Sequence, residues 1–499
     1  MSNPQWTVSI IAQYSESDEI VCVTYCQLIN SIIAHRNPNV NFYVLRYHKE
    51  KEVTKFFSYD FVSPDKDRVE TPFEPKCTQN FYDSPGVIIE FFRDFSLKSN
   101  AGHHFLITWG HGAGFGLFSE GDVPESFVNL FGGRNLKGDF SMHLLNKTAN
   151  MLFFYNRMFS SGATENIPID KKSIDVASFL EPQKIFALGH PFIFHALKKF
   201  FRIVSMESVA FAIKETFGNK KIKIDYMYSM NCYMQMFETG YLLKGYVHYY
   251  AAAENYQLFP GPDYDALFKD LSTTYSTKDP DLKKLSVSII ANFEKKYQRS
   301  EIRDLLRRFS TSMERVITDI SEVFLSVTNL EFYEQLKDKI DLLATQFVEK
   351  KNGLYLLIQQ ARKRCQYVSS TDYGIIDIAH FCKELLKEKL QNETLSKDLK
   401  EIVTLIEKAG YLVVCKRDAA PSLCISTLSR EEPPPTLCPH GISIFFPKDK
   451  NNSRSAEYVH YFIEHFYKQN TSNFMNSFLM ESSWRNFVID YFSADLPDD

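Results

Sequence analysis

Through the first half of the chain, short apolar runs rich in β-branched and aromatic residues alternate with segments of helical period. Residues 6–13 (WTVSIIAQ) and 40–47 (VNFYVLRY) read as strands, with helical spacing over about 18–35 between them. Residues 85–97 predict an amphipathic helix with Pro85 near its start, and 105–109 a strand. A helix opening at Ser205 and running to Thr216, a strand over 222–230, a helix over 234–246 and a strand over 247–253 continue the rhythm. Strands joined through helices pair in parallel and bury both faces. The expected fold class is therefore α/β, a mainly parallel sheet flanked by helices with right-handed crossovers. Residues 119–203 break the rhythm with turn-rich stretches and read as an insertion. From about 281 to 410 the pattern is helical and charged. Residues 410–416 and 441–446 then read as a short strand pair around a proline-rich loop, and a final helix carries Trp484 and Phe487. This divides the chain into 1–275, holding the sheet and the insertion, and a mostly helical 276–499.

The length, 499 residues, predicts roughly two to three domains. A net charge of -4 argues against nucleic-acid binding, and no apolar run is long enough to cross a membrane. The start lacks a basic segment followed by an apolar core, so the expectation is a cytoplasmic chain, a mature form, or export by another route. Nine cysteines at irregular spacing do not make a disulfide framework. Cys22 and Cys26 share a helix face, and Cys438 and His440 form Cys-x-His. Neither has paired Cys-x-x-Cys spacing, so the reading is buried thiols rather than a metal site.

Two strand ends carry the chemistry. The run FLITW stops at Gly110-His111-Gly112, and the run IKIDYMYSM stops at Asn231-Cys232. On neighbouring parallel strands, both side chains would emerge on one rim, where sites of such sheets sit. A thiol is a weak nucleophile until ionised, and an adjacent imidazole or a helix N-terminus lowers its pKa. The helix expected directly after Cys232 would aim its positive end at the sulfur. His111 can take the thiol proton and later protonate a leaving amine. The N–H groups of Gly112 and Cys232 can form an oxyanion hole.

The order of motifs resembles the clostripain-like cysteine peptidases, of the caspase and gingipain clan. The carrying residues are Trp6-Thr7, Trp109-Gly110-His111-Gly112, Cys232-Tyr233-Met234 with Glu238, Gly261-Pro262-Asp263-Tyr264, Gly441-Ile442-Ser443 through Pro447, and Trp484. The resemblance implies a caspase-like sheet and a cysteine endopeptidase. It implies a His111/Cys232 dyad working through a thioester, protein or peptide substrates, and a monomer. Relatives are often activated by self-cleavage between His and Cys, which would place a cut inside 119–203. No cofactor is expected; some relatives need calcium, and the acidic cluster Glu16, Asp18, Glu19 does not make a calcium loop.

The chain departs from the family at its pocket. Where relatives often carry Asp two residues before the cysteine, this chain has Met230, followed by Asn231. A more distal acidic stretch aligns with Ala253-Glu254-Asn255. The expected pocket is Met230, Asn231, Ala253, Glu254 and Asn255. A buried guanidinium or ammonium needs an opposing carboxylate, so a strict Arg or Lys preference before the cut is not expected. The competing reading is a silent or regulatory caspase-fold binding protein. Acyl transfer to an amine uses the same dyad and stays open.

Overall fold

A computed structural model describes residues 5–16, 19–59, 71–77, 81, 85–110, 112, 116–120, 202–254, 261–297, 324–365, 375–390, 392–408, 413–418, 440–446, 478 and 481–494. Strand β1 (Trp6–Tyr14) lies near the middle of a nine-stranded sheet. It pairs in parallel with β2 (Val40–His48) on one side and β5 (His103–Trp109) on the other. Next to β5, also parallel, come β8 (Ile224–Met230) and then β9 (Val247–Ala252). Beyond β2 the sheet turns antiparallel through β3 (Val53–Tyr59) and β4 (Thr71–Phe73). Beyond β9 it turns antiparallel again through β10 (Phe324–Asn329) and β12 (Val413–Asp418). The mainly parallel sheet expected from the alternation is the architecture found.

Strand alternation sorts the core into two layers. Trp6, Val8, Ile10, Phe105, Ile107, Tyr226 and Tyr228 face one side. There they meet α1 (Glu19–His35), α5 (Tyr264–Ser272) and α6 (Leu282–Tyr297). Ile11, Leu106 and Met227 face the other. That side is covered by α2 (Gly86–Phe91), α3 (Met206–Thr216) and α4 (Phe237–Leu243). Beside them pack α7 (Tyr333–Glu349), α8 (Lys351–Arg364), α9 (Ile378–Leu386), α10 (Glu393–Glu407) and α11 (Ser483–Ser493). Helix α3 starts where the sequence places it: Ser205 Oγ accepts the Ser208 N–H at 3.2 Å.

Several expectations shift. The helix over 85–97 is α2 followed by a π-helical turn, Phe92–Ser96. The region from about 281 to 410, read as helical and charged, also contains β10 and β11 (Ile375–Asp377). The strands expected at 410–416 and 441–446 exist as β12 and β13 (Ser443–Phe445), but they do not pair with each other. β12 joins the main sheet through β10, whereas β13 pairs antiparallel with β11. The sheet thus takes strands from both sides of residue 275. The body of the insertion lies outside the described residues. Its two roots, β6 (Gly116–Glu120) and β7 (Arg202–Ser205), form an antiparallel ribbon, Gly116 opposite Ser205.

Candidate active site

The register between β5 and β8 sets the site. Trp109 lies opposite Met230, so the chain leaves both strands at the same level of one rim. Gly110 leaves β5 with φ 140°, a conformation that favours glycine. Gly112 then passes so close to β8 that a Cβ on it would lie 2.3 Å from Asn231 Cβ and 3.2 Å from the Cys232 nitrogen. It also bridges Leu117 of the ribbon, which ties the root of the insertion to this rim. Both backbone positions expected to form the oxyanion hole, Gly112 and Cys232, therefore lie side by side. His111 and Asn255 lie outside the described residues.

Cys232 is almost wholly buried, and the turn after it is tight. Tyr233, also buried, adopts φ 60°, a left-handed conformation that costs a non-glycine residue about 1–2 kcal/mol. Neighbouring bonds hold it. The Tyr250 hydroxyl donates to the Met234 carbonyl at 2.9 Å, and the Gln235 N–H donates to the Ala253 carbonyl at 3.0 Å. The helix expected over 234–246 is shorter: α4 begins at Phe237, and Met236 before it is extended. Five positions separate Cys232 from that helix start, so the helix does not begin directly after the cysteine as expected.

The pocket residues fall into two groups. Met230 packs into the apolar layer with Trp109, Tyr228 and Tyr264. Ala253 and Glu254 directly follow β9, both buried. The Glu254 carboxylate accepts the Gly441 N–H at 3.0 Å, and Glu238 of α4 accepts the Phe445 N–H at 3.0 Å. The two acids thus seat the segment carrying β13, which also runs beside the turn after Cys232: the Ser443 N–H donates to the Gln235 carbonyl at 3.0 Å. Asn231 is fully buried and faces the strand ends. Its Nδ2 donates to the Gly110 carbonyl at 3.0 Å, and its Oδ1 accepts from Thr108 Oγ1 at 2.7 Å.

The motifs noted in the sequence connect physically. Trp109 Nε1 donates to the Tyr264 hydroxyl at 2.8 Å, so the Gly-x-x-Tyr motif seats the end of β5. Gly261, at φ 68°, leaves room for that hydroxyl, which would lie 2.9 Å from a Cβ there. Trp484 Nε1 donates to the Phe445 carbonyl at 3.0 Å and anchors β13 from the last helix. Sequence reasoning missed Thr108 and Ser229, two buried hydroxyls 2.8 Å apart at the rim. Their signal was a polar residue recurring inside otherwise apolar strands. Among the described residues no three His, Cys, Asp or Glu side chains converge as metal ligands would, and no helix is long and apolar enough to cross a membrane.

The family model of the clostripain family, Peptidase_C11, matches residues 211–492, more than half of the chain. The chain belongs to the clostripain family. The matched span contains Cys232, Glu254, Tyr264, Gly441 and Trp484, while His111 precedes it. As a clostripain-family protein it is a cysteine-type peptidase. An inactive zymogen C11 protease from Parabacteroides distasonis shares the caspase-like fold. The TM-score is 0.52 at 14% identity, covering 93% of this chain and 98% of that one. A secreted C11 cysteine protease from Bacteroides thetaiotaomicron aligns with a TM-score of 0.45 at 11% identity, over 92% of this chain and 98% of that one. No curated protein matches the sequence.

Proposed function

We propose that this clostripain-family chain is an endopeptidase whose dyad is His111 and Cys232. The observation that carries the reading is the β5–β8 register, which brings Gly112 against the Cys232 nitrogen at one rim. In the reaction, His111 takes the Cys232 proton and the thiolate attacks the scissile carbonyl. The N–H groups of Gly112 and Cys232 stabilise the oxyanion, an effect of about 3 kcal/mol per donor in related chemistry. His111 then protonates the departing amine, leaving a thioester. Water, deprotonated by His111, hydrolyses the thioester and restores the thiol.

The pocket supports a neutral residue before the cut. Met230 stands where relatives often carry Asp, and it belongs to an apolar layer. Glu254 already accepts a backbone N–H from Gly441. A basic side chain would have to compete for that carboxylate while losing its own hydration. The ribbon that closes the base of the insertion supports self-processing inside 119–203, as does the zymogen form of the Parabacteroides distasonis protein. The substrates of this reading are proteins or peptides, and the acting form is a monomer without a bound cofactor.

Mass-spectrometric profiling of peptide-library cleavage by the wild type, Cys232→Ala and His111→Ala tests the whole reading. Cleavage should vanish in both variants and show no Arg or Lys requirement. A strong basic preference sinks the pocket argument, and an active chain that stays intact sinks self-processing. Thiol labelling of Cys232 that ignores His111, with no cleavage, leaves the silent, regulatory reading standing.

A further inference from the structure

Asn231 lies between the two strand ends, and both ends of its amide are used. Nδ2 donates to the Gly110 carbonyl, which belongs to the peptide leading into His111. Oδ1 accepts from Thr108. Because Thr108 directs its proton to Asn231, the Ser229 hydroxyl 2.8 Å away must donate to Thr108. The bonds therefore run one way, from Ser229 to Thr108 to Asn231 to Gly110. All three side chains are fully buried, and hydroxyls and an amide in a sheet interior are tolerated only when satisfied. The same amide residue also packs on Gly112, on the far side of His111 in sequence. Asn231 so touches the residues on either side of His111 and is bonded directly to Cys232.

We propose that Asn231 is a positioning residue for the peptidase reaction: its amide fixes the Gly110 turn, the chain path into the dyad histidine, against the strand end that carries Cys232. This rests on reading His111 and Cys232 as the dyad. The residue type is demanded by the geometry. Asparagine offers a donor and an acceptor on a short stem. An ionised aspartate offers acceptors only and would face the Gly110 carbonyl with a negative charge; leucine offers neither.

The test compares purified full-length Asn231→Ala, Asn231→Asp, Thr108→Val and Thr108→Ser with the wild type, His111→Ala and Cys232→Ala. Two quantities are read: kinetics on a cleaved peptide, and the pH dependence of Cys232 alkylation by iodoacetamide, located by mass spectrometry. Asn231→Ala should lower kcat about a hundredfold, the scale of a misplaced catalytic group, with KM little changed. Its alkylation midpoint should rise toward that of a free thiol, near ~8.5. Asn231→Asp should move both readings further. Thr108→Val should move them in the same direction by less, and Thr108→Ser should restore most of the loss.

If Asn231→Ala does not fold, the nearly isosteric Thr108→Val carries the test. Folded Asn231→Ala and Thr108→Val with wild-type kcat and an unmoved alkylation profile overturn the proposal, and so does a loss confined to KM. If His111→Ala keeps the wild-type rate and profile, it is the dyad reading that fails, whatever Asn231 does.

Discussion

At Gly112 the constraint is space rather than backbone conformation. A methyl group there would overlap Asn231 and press on the Cys232 nitrogen. Relief would require the two strand ends to part, and overpacking of this kind costs about 1–3 kcal/mol. Gly112→Ala should therefore lower the rate as well as the stability. Cleavage should fall about a hundredfold, because the oxyanion donors separate, while thermal unfolding stays cooperative. A Gly112→Ala enzyme with wild-type kcat would show that the approach seen here is not the working geometry. Tyr264 offers a complementary case. Its buried hydroxyl accepts the Trp109 indole N–H, and removing it strands that donor at the end of β5. Tyr264→Phe should cost about 1–3 kcal/mol, read as a lower urea midpoint at unchanged slope.

At the scale of elements, the ends of β5 and β8 were legible because each is an apolar run closed by glycine or by a polar residue. The strand count on the parallel side was legible for the same reason. The start of α4 was not. Met234, Gln235 and Met236 suit a helix locally, but bonds to Tyr250, Ala253 and β13 hold them outside it. Helix propensity is a weak prior against such tertiary bonds. Two element starts also carry a pH signature. Burial pushes His104, near the start of β5, down to about 4 from 6.5. Burial pushes Glu207, in the first turn of α3, up to about 7 from 4.5. The histidine binds fewer protons folded than unfolded, so its contribution is full above pH 6.5 and is lost as pH falls toward 4. The glutamate binds more protons folded, so its contribution is full below pH 4.5 and is lost as pH rises toward 7. Each effect reaches about 3 kcal/mol at most, and the two oppose each other between pH 4.5 and 6.5. Glu207→Gln should raise the melting temperature at pH 8 and barely alter it at pH 4. His104→Gln should weaken the wild-type loss of stability on acidification below pH 6.5. A Glu207→Gln variant no more stable than the wild type at pH 8 would remove the assigned burial penalty.

At the scale of the whole molecule, the sequence pointed to a sheet in the first half and helices in the second. The sheet crosses that division. β10 and β12 were illegible as members of the main sheet because a short strand's partner is chosen by distant residues, and helical sequence precedes both. The late region also seats the site. Glu238 and Glu254 hold the β13 segment, and Trp484 holds it from the other side. Gly240 of α4 is so close to the Tyr333 ring of α7 that a Cβ would lie 2.3 Å from it. A chain ended at residue 275 would leave the β9 edge unpaired where β10 now lies. It would also expose the apolar side of α4 and leave Glu238 and Glu254 without the N–H groups they accept from. An unpaired apolar edge and an uncovered apolar helix face both invite association. Residues 1–275 alone should therefore show no cooperative thermal transition by circular dichroism, aggregate on concentration and leave Cys232 alkylated like a free thiol. Adding 276–499 as a separate chain should restore a transition if the two parts assemble. A soluble 1–275 fragment that melts cooperatively and reacts at Cys232 with the full-length pH profile would show that the sheet needs neither β10 nor β12.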